Sequence, residues 1–184
     1  TDLFTPGVIN SHPSTVLFAG RLVWEKGLND LMHATRTGGW NLIIAGDGPM
    51  RPILETYATA FNMNVEFLGN IKHADMPEVY RRADVFCYPS LLSPNWVEQF
   101  GISVIEALAS GLQCVTTNLG AFEDFTEHGS DAVQTVPPMR WDLLREAIKY
   151  SLNKARYQNF RDEARNLAVT YFSSVVIGKR LKEI

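Results

Sequence analysis

Short apolar runs, each four or five residues long, recur along the chain and are separated by stretches whose apolar positions repeat with a helical period. The runs at 15–19, 41–45, 65–68, 85–88, 114–117 and 132–136 read as strands. Their alternation with helix-like stretches from end to end is the pattern of a parallel sheet covered on both faces. Between them helices are expected at 28–35, 50–61, 75–82, 101–110 and, as a short element, 122–127. Longer helices follow at 141–152 and 156–171, and then a segment from Ser173 to Ile184 with an apolar face. That face either packs on its own sheet or docks on another domain. Alternation of this kind predicts an α/β fold, a doubly wound six-stranded parallel sheet of Rossmann-like type. In such sheets ligands gather at the carboxyl ends of the strands, in the loops leading to helices.

Of those loops, 90–101 feeds the most informative segment, Glu98-Gln99-Phe100-Gly101-Ile102-Ser103-Val104-Ile105-Glu106. Gly101 would let the backbone approach a ligand closely, and Ser110-Gly111 supplies a helix stop. The N–H groups that begin a helix carry partial positive charge and attract phosphate, so the backbone near Phe100, Gly101, Ile102 and Ser103 is a candidate phosphate cradle. Were the segment helical throughout, Glu98 and Glu106 would lie about 12 Å apart at about 1.5 Å per residue. That span fits a sugar diphospho-nucleoside, with a polyol at each end and the charge between. An ionised carboxylate accepts hydrogen bonds and a vicinal diol donates two, so an acid at each end suits such a molecule. The plainer alternative makes Glu98 an electrostatic helix cap and Glu106 a solvated surface residue.

The loop Gly20-Arg21-Leu22-Val23-Trp24-Glu25-Lys26-Gly27 brings two cations to the same edge. A planar guanidinium and a mobile ammonium suit two adjacent phosphates; the alternative is surface pairing of Arg21 and Lys26 with Glu25 or Asp30. Gly46-Asp47-Gly48-Pro49 has no Lys-Ser/Thr after it and reads as a structural turn, not a phosphate loop. Trp96, beside Glu98, offers either a sugar platform or simple packing.

Composition narrows the partners. The net charge of −3 over 184 residues argues against nucleic acid and against an anionic membrane surface, so any phosphate site has to be made locally. Length and a 46% hydrophobic content suit one domain over 1–184. No run is long and apolar enough to span a bilayer and no secretory pattern opens the chain, so a cytoplasmic location is expected. Cys87 and Cys114 fall within apolar runs and read as buried, reduced thiols. His12, His33, His73 and His128 are scattered without metal-ligand spacing, and no metal site is expected. The chain opens on Thr1 in loop-like sequence, as a fragment of a longer protein would.

The Arg-x4-Lys-Gly loop, the Gly-Asp-Gly-Pro turn, the run Tyr80-Arg81-Arg82-Ala83-Asp84-Val85-Phe86-Cys87-Tyr88-Pro89-Ser90, Glu-x7-Glu and Val136-Pro137-Pro138 together resemble the C-terminal, donor-binding domain of retaining GT-B glycosyltransferases of the group 1, family-four type. The likeness covers nearly the whole chain, with residues 1–7 resembling the segment where that domain begins. It implies that Arg21 and Lys26 hold a diphosphate with help from amides of Phe100 to Ser103. It further implies that Glu106 accepts from ribose hydroxyls, that Glu98 accepts from the donor sugar, and that the base lies against Ile71 and Lys72. The implied donor is a UDP- or GDP-sugar, the implied reaction is hexosyl transfer with retention, and neither cofactor nor metal is implied, since the cations neutralise the leaving group. The implied partners are an N-terminal acceptor domain absent from this chain and an acceptor glycan or lipid-linked sugar. Through that absent domain a peripheral membrane association stays open, and the isolated fragment is expected to transfer poorly. A sugar-nucleotide 2-epimerase of the same architecture and a non-enzymatic Rossmann-like module are the alternatives. Departures from the family pattern are Asn118-Leu119-Gly120-Ala121-Phe122-Glu123 for a commoner Gly-Gly-x-Pro-Glu turn, Ala132 for Gly, and Gln99 for a small residue. The first two touch only a turn; the third leaves the donor sugar open.

Overall fold

A strand with Val, Leu, Ile and Phe on both faces needs a cover on each side, and the helices here supply two. The computed structural model describes residues 3–12, 14–92, 101–119 and 130–172. Within them β1 (Thr15–Ala19), β2 (Asn41–Ala45), β3 (Val65–Gly69), β4 (Val85–Tyr88), β5 (Gln113–Thr117) and β6 (Val133–Val136) form one parallel sheet in the order β3-β2-β1-β4-β5-β6. The helices are α1 (Leu28–Gly38), α2 (Arg51–Ala60), α3 (Met76–Arg81), α4 (Ile102–Ala109), α5 (Trp141–Ala155) and α6 (Gln158–Phe172), with 3₁₀ turns at Trp24–Lys26 and His73–Asp75. From β1 the chain winds outward through β2 to β3, then crosses to β4 and winds the other way. Right-handed crossovers then put α1 and α2 on one face and α3 and α4 on the other. α5 returns to lie against α1, and α6 lies against α4.

Val16, Leu17, Phe18, Ile44, Val85, Phe86 and Val115 are buried at the centre of this sandwich. Each expected strand is present, with ends within one residue. The first helix runs beyond Thr35 to Gly38, because the hydroxyls of Thr35 and Thr37 donate back to the carbonyls of Leu31 and His33 at 2.8 Å each and so do not compete with the helix. The helix expected at 50–61 begins at Arg51, since Gly48-Pro49-Met50-Arg51 forms a turn closed by the Arg51 N–H on the Gly48 carbonyl at 3.0 Å. The expected helix at 122–127 and the segment 173–184 lie outside the described residues. Among the described residues no helix is long and apolar enough to cross a membrane.

Two polar devices tie the sheet down. Arginines fasten the leading segment: Arg165 donates to the carbonyls of Phe4 and Ala109 at 2.6 Å each, and Arg81 donates to the Thr5 hydroxyl at 2.8 Å. Asp84, 5% exposed, accepts the backbone N–H groups of Ser14 and Thr15 through one oxygen at 2.9 Å each, fixing the start of β1 to that of β4. Asp84→Ala leaves both N–H groups without that acceptor and is expected to cost about 2 kcal/mol. Urea denaturation checks this; an unchanged midpoint would show that the two bonds contribute nothing net.

Cys87 and Cys114 are free and fully buried in β4 and β5. Burial pushes both thiols well above their ordinary range.

Candidate functional site

The sheet reverses its winding direction between β1 and β4, and the loops leaving those two strands face each other there. The loop after β1 is held by its neighbour: Gly20 N–H donates to Ala45 at 2.9 Å, Leu22 N–H to Asp47 at 2.9 Å, and Met50 N–H to Leu22 at 3.0 Å. Gly46, at φ 135°, lies so close to Gly20 that a Cβ would stand 1.9 Å from its carbonyl oxygen. Gly-Asp-Gly-Pro is thus a brace for the cationic loop, the structural role its sequence implies.

Lys26 ends the 3₁₀ turn at the bottom of that loop and is 5% exposed. A buried ammonium demands partners. Its Nζ donates to the Tyr88 hydroxyl and lies 4.6 Å from the centre of the same ring, so the cation is seated on the carboxyl end of β4. Two backbone contacts close the loops together: Leu91 N–H donates to the Glu25 carbonyl at 2.7 Å, and Gly27, at φ +66°, passes directly against Pro89. The surface pairing considered for Lys26 is therefore incompatible with its depth. Arg21 is exposed, and among the described residues no hydrogen bond or ion pair holds its guanidinium.

α4 starts in the next loop. Gly101 adopts φ 50°, ψ 42°, and the helix begins at Ile102. A left-handed residue cannot continue an α-helix, so the uninterrupted helix from Glu98 to Glu106, and the span of about 12 Å calculated from it, do not hold. Glu98, Phe100 and Trp96 lie outside the described residues. No side chain caps α4; its first internal bonds run from Val104 and Ile105 to the Gly101 carbonyl, at 2.8 and 3.2 Å. The N–H groups of Ile102 and Ser103 precede these and are the ones a helix leaves for solvent or ligand.

Glu106 lies farther along α4, its side chain 13% exposed. Its Oε1 is 2.8 Å from His73 Nε2 and its Oε2 is 3.0 Å from the Tyr80 hydroxyl, which is also 3.2 Å from the Ser103 carbonyl oxygen. Burial first, and the neighbouring Glu106 carboxylate second, push the Tyr80 phenol well above its ordinary range, so it stays a donor. Glu106 is neither a helix cap nor a free surface acid. Ile71, half-buried, and Lys72, exposed, immediately precede His73 in the loop after β3, so the His73 bond ties that loop to α4. The structure thus gathers the candidates into two pairs of elements: Lys26 with the end of β4, and Glu106 with the 71–73 loop.

His73 and Tyr80 are what the sequence reading missed. His73 counts in the sequence only as one of four scattered histidines without metal-ligand spacing, and its partner is an acid 33 residues away. Its place directly after Ile71-Lys72, in a loop leaving a strand at the ligand edge, was the available signal.

This fold is the one found in glycosyltransferases of GT-B type. A sucrose-phosphate synthase from Thermosynechococcus elongatus superposes with a TM-score of 0.81 at 24% identity, over 99% of this chain and 49% of that one. An Anabaena protein solved with UDP-glucose superposes with a TM-score of 0.78 at 23% identity, over 93% of this chain and 48% of that one. A 2-deoxystreptamine N-acetyl-D-glucosaminyltransferase from Niallia circulans is 32% identical over 165 residues, 86% of this chain and 41% of its own length. Residues 2–167 match the family described as Glycosyl transferases group 1, and the chain belongs to that family. It spans less than half the length of the Niallia relative.

Proposed function

We propose that this chain is the donor-binding half of an enzyme that moves a hexosyl group from a UDP- or GDP-sugar to an acceptor, with retention and without a metal. The observation that carries the reading is the ammonium of Lys26, buried at the switch point on the end of β4, beside the loop from which the uncapped α4 begins. A buried cation on the strand whose following loop leads into a helix that no side chain caps is an environment for a diphosphate. Arg21 extends the positive field outward, and its guanidinium can fold onto the second phosphate. Glu106 accepts from the ribose diol, Glu98 from hydroxyls of the donor sugar, and Ile71 with Lys72 borders the base. When the bond from the sugar to the diphosphate breaks, its electron pair passes to the phosphate oxygen. Lys26, Arg21 and the amides near Phe100 to Ser103 stabilise that developing charge, which supplies much of the catalysis. The acceptor hydroxyl then attacks the oxocarbenium-like sugar from the face the diphosphate leaves and passes its proton to the departing phosphate oxygen. The UDP-glucose held by the Anabaena neighbour and the glucosaminyl transfer named for the Niallia relative support a nucleotide-sugar donor. No feature of the described residues favours an epimerase or a non-enzymatic module over this reading.

Calorimetric titration of the chain with UDP and with GDP tests it. One of the two is expected to bind, and weakly, since the chain spans less than half the length of the Niallia relative. Arg21→Ala and Glu106→Ala are each expected to weaken that binding about tenfold. No binding by the unaltered chain, or equal binding in all three proteins, would overturn the reading.

A further inference from the structure

Glu106 is held at both oxygens before any ligand arrives, and both donors come from outside its own helix. His73 sits at the end of the loop after β3, and Tyr80 lies on α3. With the carboxylate ionised it can only accept, so His73 Nε2 and the Tyr80 hydroxyl are the donors, at 2.8 and 3.0 Å. Each carboxylate oxygen retains a lone pair, so the two bonds orient the group without using up its capacity. The braces are themselves braced. Phe4, 4% exposed, presents an edge contact to each: its ring centre is 5.5 Å from that of His73 at 68° and 5.6 Å from that of Tyr80 at 81°. Tyr80 is fully buried, whereas the His73 side chain is 69% exposed and stands at the outer edge of the cluster.

We propose that His73 and Tyr80 are positioning residues that fix the Glu106 carboxylate from its two oxygens, so that the 71–81 segment sets the acceptor for a ligand's vicinal diol. An acceptor fixed in advance spares the ligand the cost of ordering it. This rests on the reading that Glu106 receives the ribose. The same segment carries Ile71 and Lys72, so it governs base and ribose together.

The test compares UDP with 2′,3′-dideoxy-UDP, and GDP with its dideoxy counterpart, by calorimetry on this chain. The unaltered chain prefers the ribose form. His73→Ala and Tyr80→Phe each lower ribonucleotide affinity about fivefold and leave dideoxynucleotide affinity unchanged, so the preference shrinks. His73→Gln returns an N–H donor and restores most of the preference. Tyr80→Phe keeps the buried ring, and the melting temperature of each variant confirms folding. Equal loss for both nucleotide forms, or an undiminished preference in His73→Ala and Tyr80→Phe, would overturn the positioning role while leaving the ribose assignment standing. An unaltered chain that binds ribose and dideoxy forms alike would overturn the ribose assignment and the proposal with it.

Discussion

Gly27→Ala is expected to lower the melting temperature by about 10 °C, the largest effect on stability of any single change considered for this chain. Two costs coincide there. The residue has φ +66°, which strains any side chain, and an added Cβ would stand 1.8 Å from the Pro89 carbonyl oxygen. Backbone atoms on both sides cannot swing away as a flexible side chain would. Strain and forced displacement together amount to about 4 kcal/mol. Gly39 supplies the control, for it has φ +71° with nothing within 4 Å of an added Cβ. Gly39→Ala should therefore cost only the conformational part, about 1 kcal/mol, and about 3 °C. Thermal melts of the two variants separate the contributions. Equal shifts would show that the loops from β1 and β4 do not need their close approach.

Lys26→Met is expected to weaken UDP or GDP binding about 50-fold while leaving the fold in place. Methionine keeps most of the buried stem and removes only the ammonium, so the loss reports charge and not volume. Charge-assisted bonds to a phosphate in a site that excludes water are worth about 1.5 to 3 kcal/mol. Lys26→Arg should not rescue the loss, because the seat against Tyr88 is nearly closed to solvent and a planar fork does not fit a point charge's place. Calorimetry with the nucleotide that binds, alongside a melting scan, decides the matter. Unchanged affinity in Lys26→Met would remove the central support for a diphosphate site.

The strands were legible because the signal is local: short runs rich in apolar and β-branched residues, such as Val16 to Ala19, Leu42 to Ala45 and Val85 to Tyr88, end at Gly or Pro. A parallel, doubly wound sheet followed from the alternation of elements, while the strand order that puts the crevice between β1 and β4 appears only in the fold. Lys26 was legible as a candidate through its loop, but its depth was not, since lysine is ordinarily a surface residue and the Tyr88 contact joins positions 62 apart. The supports of Glu106 were hidden for the same reason. His73 and Tyr80 reach it only after the crossover to β4 has folded α3 beside α4, and no spacing along the chain encodes that meeting. The left-handed backbone of Gly101 breaks the helix that the Glu-x7-Glu distance assumes, and no spacing in the sequence announces it.

The two buried thiols leave the chain chemically silent toward maleimides and other alkylating reagents while it is folded, since neither sulfur is accessible nor readily ionised. Lys72→Cys, at an exposed position, would then be the one site that takes a fluorophore, giving an optical readout of nucleotide arrival with both native cysteines left in place.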